Sequence, residues 1–189
     1  SDLDDGVLKV MSAVEAGHQA HIHHAAGFAD GGAIVRFRLP GLAPSETLTV
    51  GFVDRQCPGV HAGHLCYAIV SNRPPRVQLA DYKTGVMDLE IRRRREPFLH
   101  TQDKKPREKP PADLEALLAT KTKDLPWQAD HEWHELVLVT EGDEMRASLD
   151  GRPLGSHRSA GFAHPTKRWF SLLMNPSAWI DDVQVYRVK

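Results

Sequence analysis

Apolar and polar residues alternate through most of the chain, which is the pattern of β-strands with one buried face. In GAIVRFRLPG, the side chains of Val35, Phe37 and Leu39 face one side of a strand. Those of Arg36 and Arg38 face the other side. The same alternation recurs in ETLTVGFVD, HLCYAIVS and RVQLAD, so we predict four strands in the first half of the chain.

The last third of the chain alternates in the same way and is divided by turn-forming residues. HELVLVTEGDEMRASLDGRPLGS is typical of three strands, with turns at 141–143 and at Asp150-Gly151, a dipeptide suited to a tight hairpin. RWFSLLM and AWIDDVQVYRV are two further strands around NPSA. The regularly alternating helices of a parallel α/β fold are missing, so we predict one antiparallel domain, a sandwich or barrel over 1–189.

One region, 92–126, departs from this pattern. It contains RRRR, DKKPREKPP and ADLEALLATKTKDLP, and residues 91–123 include ten basic and five acidic side chains. Leu114, Leu117 and Leu118 have helical spacing, which predicts one short helix near 111–121 within a long basic loop. Such an insertion is either a solvated surface loop or a lid or anion-binding edge.

Composition and charge narrow the classes of function. The formal net charge of −1 gives no overall field that would attract nucleic acid, and RRRR is followed by Glu96, which favours a solvated edge. No run of 18 apolar residues predicts a membrane span. SDLDDGVLKV lacks the basic and apolar regions of a signal peptide, so the protein is either not exported or has lost its signal. Nothing in the sequence indicates an oligomeric state.

The C-terminal third resembles a known fold family. WHELVLVTEGDEMRASLDGRPLG, a further strand and AWIDDVQVYRV are similar to the closing strands of concanavalin A-like lectin/glucanase jelly rolls. HAGHLC, LADYKTGVMDLEIRRR and AHPTK extend the resemblance to 3-keto-disaccharide hydrolase-like domains of the planctomycete type, over nearly the whole chain from Val7. The resemblance implies an all-β, two-sheet antiparallel jelly-roll sandwich, often exported, that is associated with polysaccharide binding or breakdown.

We therefore expect a carbohydrate-binding or glycoside-hydrolase-related domain that acts on poly- or disaccharides, in an exported or periplasmic protein. The alternative is a non-catalytic structural or protein-interaction module of an exported assembly, and a third possibility is a lyase or hydrolase that works through its histidines. Laminarinase-type members of the fold carry three acidic residues along one strand. Here MDLEI offers Asp88 and Glu90, but Arg92 follows, so that chemistry is not expected.

The segment CPGVHAGHLC contains Cys57, His61, His64 and Cys66. Its spacing matches none of the common zinc motifs. The two cysteines, the only ones in the chain, either form a disulfide across the mouth of a loop or remain free thiols, and Cys66 alternates with apolar neighbours as a core residue would. His61 and His64 lie between two predicted strands, where they are candidates for ligand contact or proton transfer.

Two further loops carry polar residues of the same kinds, DYKTG after one strand and HPTK before another. If the three loops gather at one edge of the sandwich, six side chains form one polar ligand site: His61, His64, Asp81, Lys83, His164 and Lys167. A second histidine cluster, HQAHIHHAAGF, places His21 and His23 on one strand face and His18 and His24 on the other, which favours solvated histidines over a metal site.

Arg36 and Arg38 lie on one strand face, where a nearby tryptophan would complete a surface able to stack sugar rings and bond their hydroxyls. The candidate tryptophans are Trp133, Trp169 and Trp179, although we expect most of them in the core. In related jelly rolls an acidic residue at the start of the last strand helps to hold calcium. Asp181 and Asp182 are therefore possible calcium ligands, but two carboxylates alone are too few for a calcium site.

Overall fold

A computed structural model describes residues 2–11, 19–99 and 109–188. His18 and the middle of the basic insertion, 100–108, lie outside the described residues. The described chain contains thirteen strands and two α-helices: β1 (Asp2–Asp4), β2 (Val7–Met11), β3 (Ala20–Phe28), β4 (Gly31–Arg38), β5 (Thr47–Val53), β6 (His64–Asn72), β7 (Pro75–Asp81), α1 (Leu89–Leu99), α2 (Ala112–Ala119), β8 (Thr122–Leu125), β9 (Trp133–Glu141), β10 (Glu144–Leu149), β11 (Arg152–Arg158), β12 (Lys167–Asn175) and β13 (Ser177–Arg187).

The strands form two antiparallel sheets that pack face to face. The seven-stranded sheet has the order β1-β2-β13-β4-β9-β10-β11, and the six-stranded sheet has the order β3-β12-β5-β6-β7-β8. Strands that are neighbours in space are therefore often distant in sequence, as in a jelly roll. The predicted all-β, two-sheet jelly-roll sandwich is confirmed.

The core lies between the sheets and follows the predicted alternation. Val35 and Phe37 of β4 are fully buried, as are Val50 and Phe52 of β5. Phe52 packs edge-to-face against Phe28, with the two ring centroids 5.3 Å apart. In β6 both faces are buried, because Cys66 and its alternate neighbours meet this core while Tyr67 lies on the opposite side of the sheet.

The predicted hairpin at Asp150-Gly151 is also confirmed. It joins β10 to β11, and the two residues have φ angles of 51° and 73°. Positive φ at both central positions matches the twist of antiparallel strands, which explains the Asp-Gly dipeptide.

The insertion between β7 and β9 is more regular than predicted. The helix expected near 111–121 is present as α2, but α1 extends over 92–99 of the predicted loop and strand β8 occupies 122–125 of it. Asp88 starts α1, because its side chain accepts the backbone N–H groups of Glu90 (2.9 Å) and Ile91 (3.0 Å). Asp88 and Glu90 thus belong to a helix start and not to a strand. Neither helix of the described ranges is long and apolar enough to cross a membrane.

Candidate functional site

A groove crosses the outer face of the six-stranded sheet, the face turned away from the core. We call it the histidine groove. Its volume is about 550 Å³. It is lined by Gln19, His21, Thr47, Thr49, His64, Tyr67, Ile69, Tyr82, Met87, Leu173 and Asn175. Four strands supply its floor, and the segment after β7 supplies one wall.

A glycine shapes the floor of the groove. Gly51 of β5 pairs with Tyr67 of β6, and a side-chain carbon at Gly51 would lie 2.5 Å from a ring carbon of Tyr67. The missing side chain therefore lets the Tyr67 ring lie across β5. Tyr82 meets that ring edge-to-face, with the centroids 4.9 Å apart. These two rings form an aromatic corner at one end of the groove.

His64 joins this corner through a short hydrogen bond between its Nδ1 and the Tyr67 hydroxyl. Burial, followed by the nearby His61, lowers the pKa of His64 to about 4. Burial also raises the pKa of Tyr67. At neutral pH the pair therefore consists of an uncharged imidazole and a protonated phenol. Tyr67 is fully buried, so only the half-buried imidazole of His64 can reach a neutral ligand.

Further basic groups surround the groove. His21 and His23 project from β3 with their ring centroids 6.0 Å apart. Burial, and then the charge of Arg55, lower the pKa of His23. His61 lies beside the groove wall, since its N–H donates to the carbonyl of Met87 at 2.8 Å. Each of these side chains, when protonated, opposes protonation of His64.

The chemistry of the groove suits binding through hydroxyl, amide and imidazole groups beside apolar surface. No Asp or Glu is among the described residues that line it. Glycoside hydrolysis of the usual kind needs two carboxyl groups on either side of the scissile bond. The histidine groove therefore lacks the side chains for that mechanism.

Of the six residues predicted to form one polar site, the structure brings only His61 and His64 to this groove. Asp81 is buried and holds the protein together internally. It accepts the backbone N–H of Thr84 (2.9 Å) and the hydroxyls of Thr84 (2.6 Å) and Ser159 (2.5 Å). The N–H of Gly161 also donates to it at 3.0 Å. Asp81 thus fastens the end of β7 to the segment before β12.

His164 and Lys167 are also buried. His164 Nε2 contacts the carboxylate of Asp54 at 3.1 Å, and Arg168 binds the other oxygen of Asp54 at 3.0 Å. The ammonium group of Lys167 donates to the carbonyl of Ala29, and burial lowers its pKa. These partners are groups of the protein, so neither side chain is presented to a ligand.

The loops at 57–64 and 81–85 meet at the start of β6, although the three predicted loops do not enclose a common pocket. The N–H groups of Tyr82 and Lys83 both donate to the carbonyl of Leu65, at 2.9 and 2.8 Å. Lys83 is half-buried beside this junction and does not line the histidine groove. Convergence is therefore observed for these two loops. Of their predicted polar side chains, His61 and His64 reach the histidine groove, whereas Asp81 and Lys83 do not.

The two cysteines are free and buried, so of the two alternatives, a disulfide or two free thiols, the structure contains the free thiols. Cys66 lies in β6 opposite Phe52 and Asp81. Burial raises its pKa to about 12, which keeps the thiol protonated and unreactive. The interpretation of Cys66 as a core residue is the correct one.

The outer face of the seven-stranded sheet carries a second feature, which we call the tryptophan ladder. Lys9, Trp179, Arg38 and Trp133 are direct cross-strand neighbours on β2, β13, β4 and β9. The Lys9 ammonium lies 5.0 Å from the Trp179 ring centroid, and the Arg38 guanidinium lies 4.9 Å from it. The prediction that these tryptophans are core residues is wrong for Trp133 and Trp179, which are half-buried on this face. Trp169 is 41% exposed.

The possible calcium ligands also have partners within the protein. Asp181 forms an ion pair with Arg36 at 2.8 Å, and Asp182 accepts the amide of Gln184 at 2.9 Å. In the described ranges, no three His, Cys, Asp or Glu side chains come together as a metal site. The geometry gives no support to calcium at this position.

Sequence reasoning missed most of the groove. Tyr67, Thr49 and His21 were recognised as strand residues, but nothing marked their face as a binding face. Tyr82 and Asn175 lie just outside or at the end of strands and carried no signal. The available signal was the outward position of His21 and His23, two ionisable residues on one strand face.

Solved structures similar to this chain share its fold. The carbohydrate-binding module CBM66 from Bacillus subtilis has a TM-score of 0.57 at 10% identity, covering 96% of this chain and 95% of that chain. A non-specific endo-β-1,3(4)-glucanase of family GH16 has a TM-score of 0.55 at 11% identity, covering 97% and 71%. A fructosyltransferase from A. japonicus has a TM-score of 0.56 at 11% identity, covering 96% and 25%.

Sequence comparisons add no family assignment. No protein-family profile matches the chain, and a comparison with curated proteins gives no significant match. At 10–11% identity the structural likeness shows the fold alone. The chain is thus a concanavalin-like jelly roll.

Proposed function

We propose that the protein binds carbohydrate in the histidine groove. The observation that carries this proposal is the half-buried ring of Tyr82, held in place by the buried Tyr67, beside hydroxyl, amide and imidazole groups in one open groove of about 550 Å³. Concave sites that mix apolar surface with a few polar groups are the usual form of small-ligand sites.

The groove residues divide into the two kinds that a sugar requires. Tyr82, Met87 and Leu173 offer apolar surface to the C–H faces of a pyranose ring. Thr47 and Asn175 offer a hydroxyl and an amide, which donate and accept hydrogen bonds as sugar hydroxyls do. The names of the structural neighbours, a carbohydrate-binding module and a glucanase, support this choice of ligand.

The proposal is tested by a glycan array followed by isothermal titration calorimetry on the glycans retained. Tyr82→Ala removes one side of the aromatic corner, and we expect it to weaken binding about tenfold, or ~1.4 kcal/mol. Tyr186→Ala is the matched control, because Tyr186 is also half-buried but lies in β13 of the other sheet. Equal losses in the two variants, or no retained glycan, would contradict the proposal.

A second candidate is a sugar-cleaving activity of the 3-keto-disaccharide hydrolase-like type that the sequence resembles. The observation in its favour is the His64–Tyr67 pair, in which an uncharged imidazole is hydrogen-bonded to a protonated phenol. Incubation with 3-keto-disaccharides and with polysaccharides, with sugar release followed by chromatography, tests it. For this candidate we expect the wild type to release sugar. His64→Gln should abolish that release while sugar binding is retained.

Export completes the proposal, because a domain that binds poly- or disaccharides meets such ligands outside the cytoplasm or in the periplasm. Fractionation of the native host, with antibody detection, tests this. If both the array and the turnover assays are negative, a structural or protein-interaction module becomes the better description of the domain.

A further inference from the structure

We propose that the ligand of the histidine groove is an acidic saccharide, one that carries carboxylate or sulfate groups. This inference rests on the proposed carbohydrate-binding function and adds the charge of the ligand. It follows from the distribution of charged groups around the groove, which is one-sided.

The groove offers basic groups and no acidic ones among its described lining residues. His21 and His64 line it directly. His23, His61 and Arg55 are close enough for their charges to act on the groove histidines. Arg55 attracts an anion placed here, and each histidine that becomes protonated adds to that attraction, whereas a carboxylate in the lining would cancel it.

Two acidic side chains that adjoin groove residues in the sequence are held by partners of their own. Asp54, the neighbour of Arg55, accepts from His164 and Arg168. Asp81, which precedes Tyr82, is buried and receives its hydrogen bonds from Thr84, Ser159 and Gly161. These two carboxylates are therefore bound by groups inside the sandwich and do not pair with the groove cations. Arg55 has no ion pair among the described residues.

Because several imidazoles lie close together, we expect the affinity for an anionic ligand to depend on pH. Around His64 lie Tyr67 on its own strand, Tyr82 after β7, His61 in the turn before β6, Arg55 after β5, and His21 and His23 on β3. None of these groups is acidic at neutral pH, so each proton taken up by the cluster opposes the next. A bound anion relieves that repulsion, and binding therefore takes up protons and becomes tighter as the pH falls.

The remainder of the groove selects a saccharide over a simple anion. Apolar surface from Ile69, Met87 and Leu173 lies beside the hydroxyls of Thr47 and Thr49. A free inorganic anion would use none of this surface. A sugar ring with a carboxylate or sulfate substituent uses both the apolar and the basic parts.

The test is calorimetry with oligogalacturonate and with the same oligosaccharide after methyl esterification, which removes the charge and keeps the backbone. A sulfated galactan oligosaccharide is the second arm. Titrations are made at pH 7.5 and 5.5, at low and moderate salt. We expect the charged forms to bind at least tenfold more tightly than the ester at pH 5.5, and to weaken at pH 7.5 and with salt.

Two variants locate the effect. His21→Gln combined with His23→Gln should remove most of the difference between the two pH values. Arg158→Gln, which removes an exposed cation from β11 at the far edge of the other sheet, should leave it unchanged. Circular dichroism melting in the same buffers confirms that all variants are folded.

The outcomes separate this inference from the function on which it rests. Binding of either charged arm with the expected pH dependence supports the inference. If the ester or neutral glycans bind with the same affinity as the charged saccharides, and pH and salt do not change that affinity, the inference of an acidic ligand is wrong. Carbohydrate binding itself would still stand. If neutral and charged saccharides both fail to bind, the proposed function falls and the inference falls with it.

Discussion

The outer faces of the two sheets use similar residues to opposite effect. On the six-stranded sheet, Tyr67 lies over Gly51, and the rings and imidazoles around it border a groove. On the seven-stranded sheet, Trp133 and Trp179 alternate with Arg38 and Lys9, and both cations lie over the Trp179 ring. The cations of the ladder are thus occupied by neighbours within the protein, whereas Arg55 beside the groove has no ion pair among the described residues.

In the tryptophan ladder, cations of the protein cover the faces of the tryptophan rings. The Arg36 guanidinium lies 5.4 Å from the ring centroid of Trp133 and pairs with Asp181 at 2.8 Å. Lys9 combines its contact to Trp179 with an ion pair to Asp4 at 2.6 Å. A sugar ring that stacked on these tryptophans would have to displace the cations. Arg36 and Arg38, predicted as ligand contacts, therefore have structural roles.

The largest expected effect comes from Gly51→Ala, which attacks the groove face directly. The added carbon would collide with the carbonyl oxygen of Cys66 and with the Tyr67 ring, and the backbone atom cannot move away as a flexible side chain would. We expect a loss of about 3 kcal/mol in the free energy of unfolding, measured with urea, together with loss of glycan binding. Thr49→Ala, two residues earlier on the same face, is the control. Equal unfolding free energies of the two variants would contradict the role given to Gly51.

The next largest effect concerns the pH dependence of the unfolding free energy, for which the two sheets each contain one histidine with a shifted pKa. His134 of β9 contacts Asp150 and Asp130, each at 2.8 Å. Burial acts to lower the pKa of His134, but these hydrogen bonds outweigh it and the pKa is raised. The pKa of His64 is lowered to about 4. The stabilisation from His134 is therefore complete below about pH 6.5 and is lost as the pH rises through the raised pKa. That from His64 is present above about pH 6.5 and is lost as the pH falls towards 4.

Urea unfolding between pH 4.5 and 9 checks both signs. We expect His134→Gln to cost about 1–3 kcal/mol near pH 6 and less at pH 9. His64→Gln should instead flatten the acid side of the curve. Variant curves that run parallel to that of the wild type would contradict both assignments.

A smaller effect is expected on the ladder. Trp179→Ala removes the ring that both Lys9 and Arg38 contact, and each such contact contributes about 0.5–1 kcal/mol at an exposed site. We expect a loss of about 1–2 kcal/mol in unfolding free energy and no change in glycan affinity. Trp169→Ala, an exposed tryptophan of the other sheet, is the control. A tenfold loss of affinity in Trp179→Ala would make the ladder a binding face after all.

The smallest effect is expected for Arg36→Gln, because the ion pair to Asp181 is largely exposed. Such pairs contribute about 0–1 kcal/mol, so the melting temperature should change by only a few degrees. Chelation of divalent ions should leave the melting temperature of the wild type unchanged. A clear decrease on chelation would restore Asp181 and Asp182 as calcium ligands.

The strands and turns could be predicted from the sequence because their signals are local. The alternation through Val35 and Phe37 and the Asp150-Gly151 turn each lie within a few residues. Helix α1 was missed because its arginine-rich face lacks an apolar period, although the N-cap of Asp88 was present. A capping residue alone is a weaker signal than periodicity.

The candidate site was only partly predictable, because the fate of a polar side chain depends on partners far away in sequence. Asp81 is buried by contacts with Ser159 and Gly161, and His164 by a contact with Asp54. Each partner lies about 80 to 110 residues away. His164 has the same residue type and a similar loop position as His64, yet only His64 reaches the groove. Long-range pairing in a jelly roll decides between the two outcomes.

The reactivity of the buried Cys66 thiol depends on how often the sandwich opens. Its side chain is fully enclosed on the central strands, and its raised pKa protects it from reagents while the sandwich is closed. A thiol reagent in native buffer can therefore react with it only during excursions that separate the sheets or the strands around β6. The rate of that reaction at Cys66, compared with the rate for unfolded protein, reports how often the sandwich opens around β6.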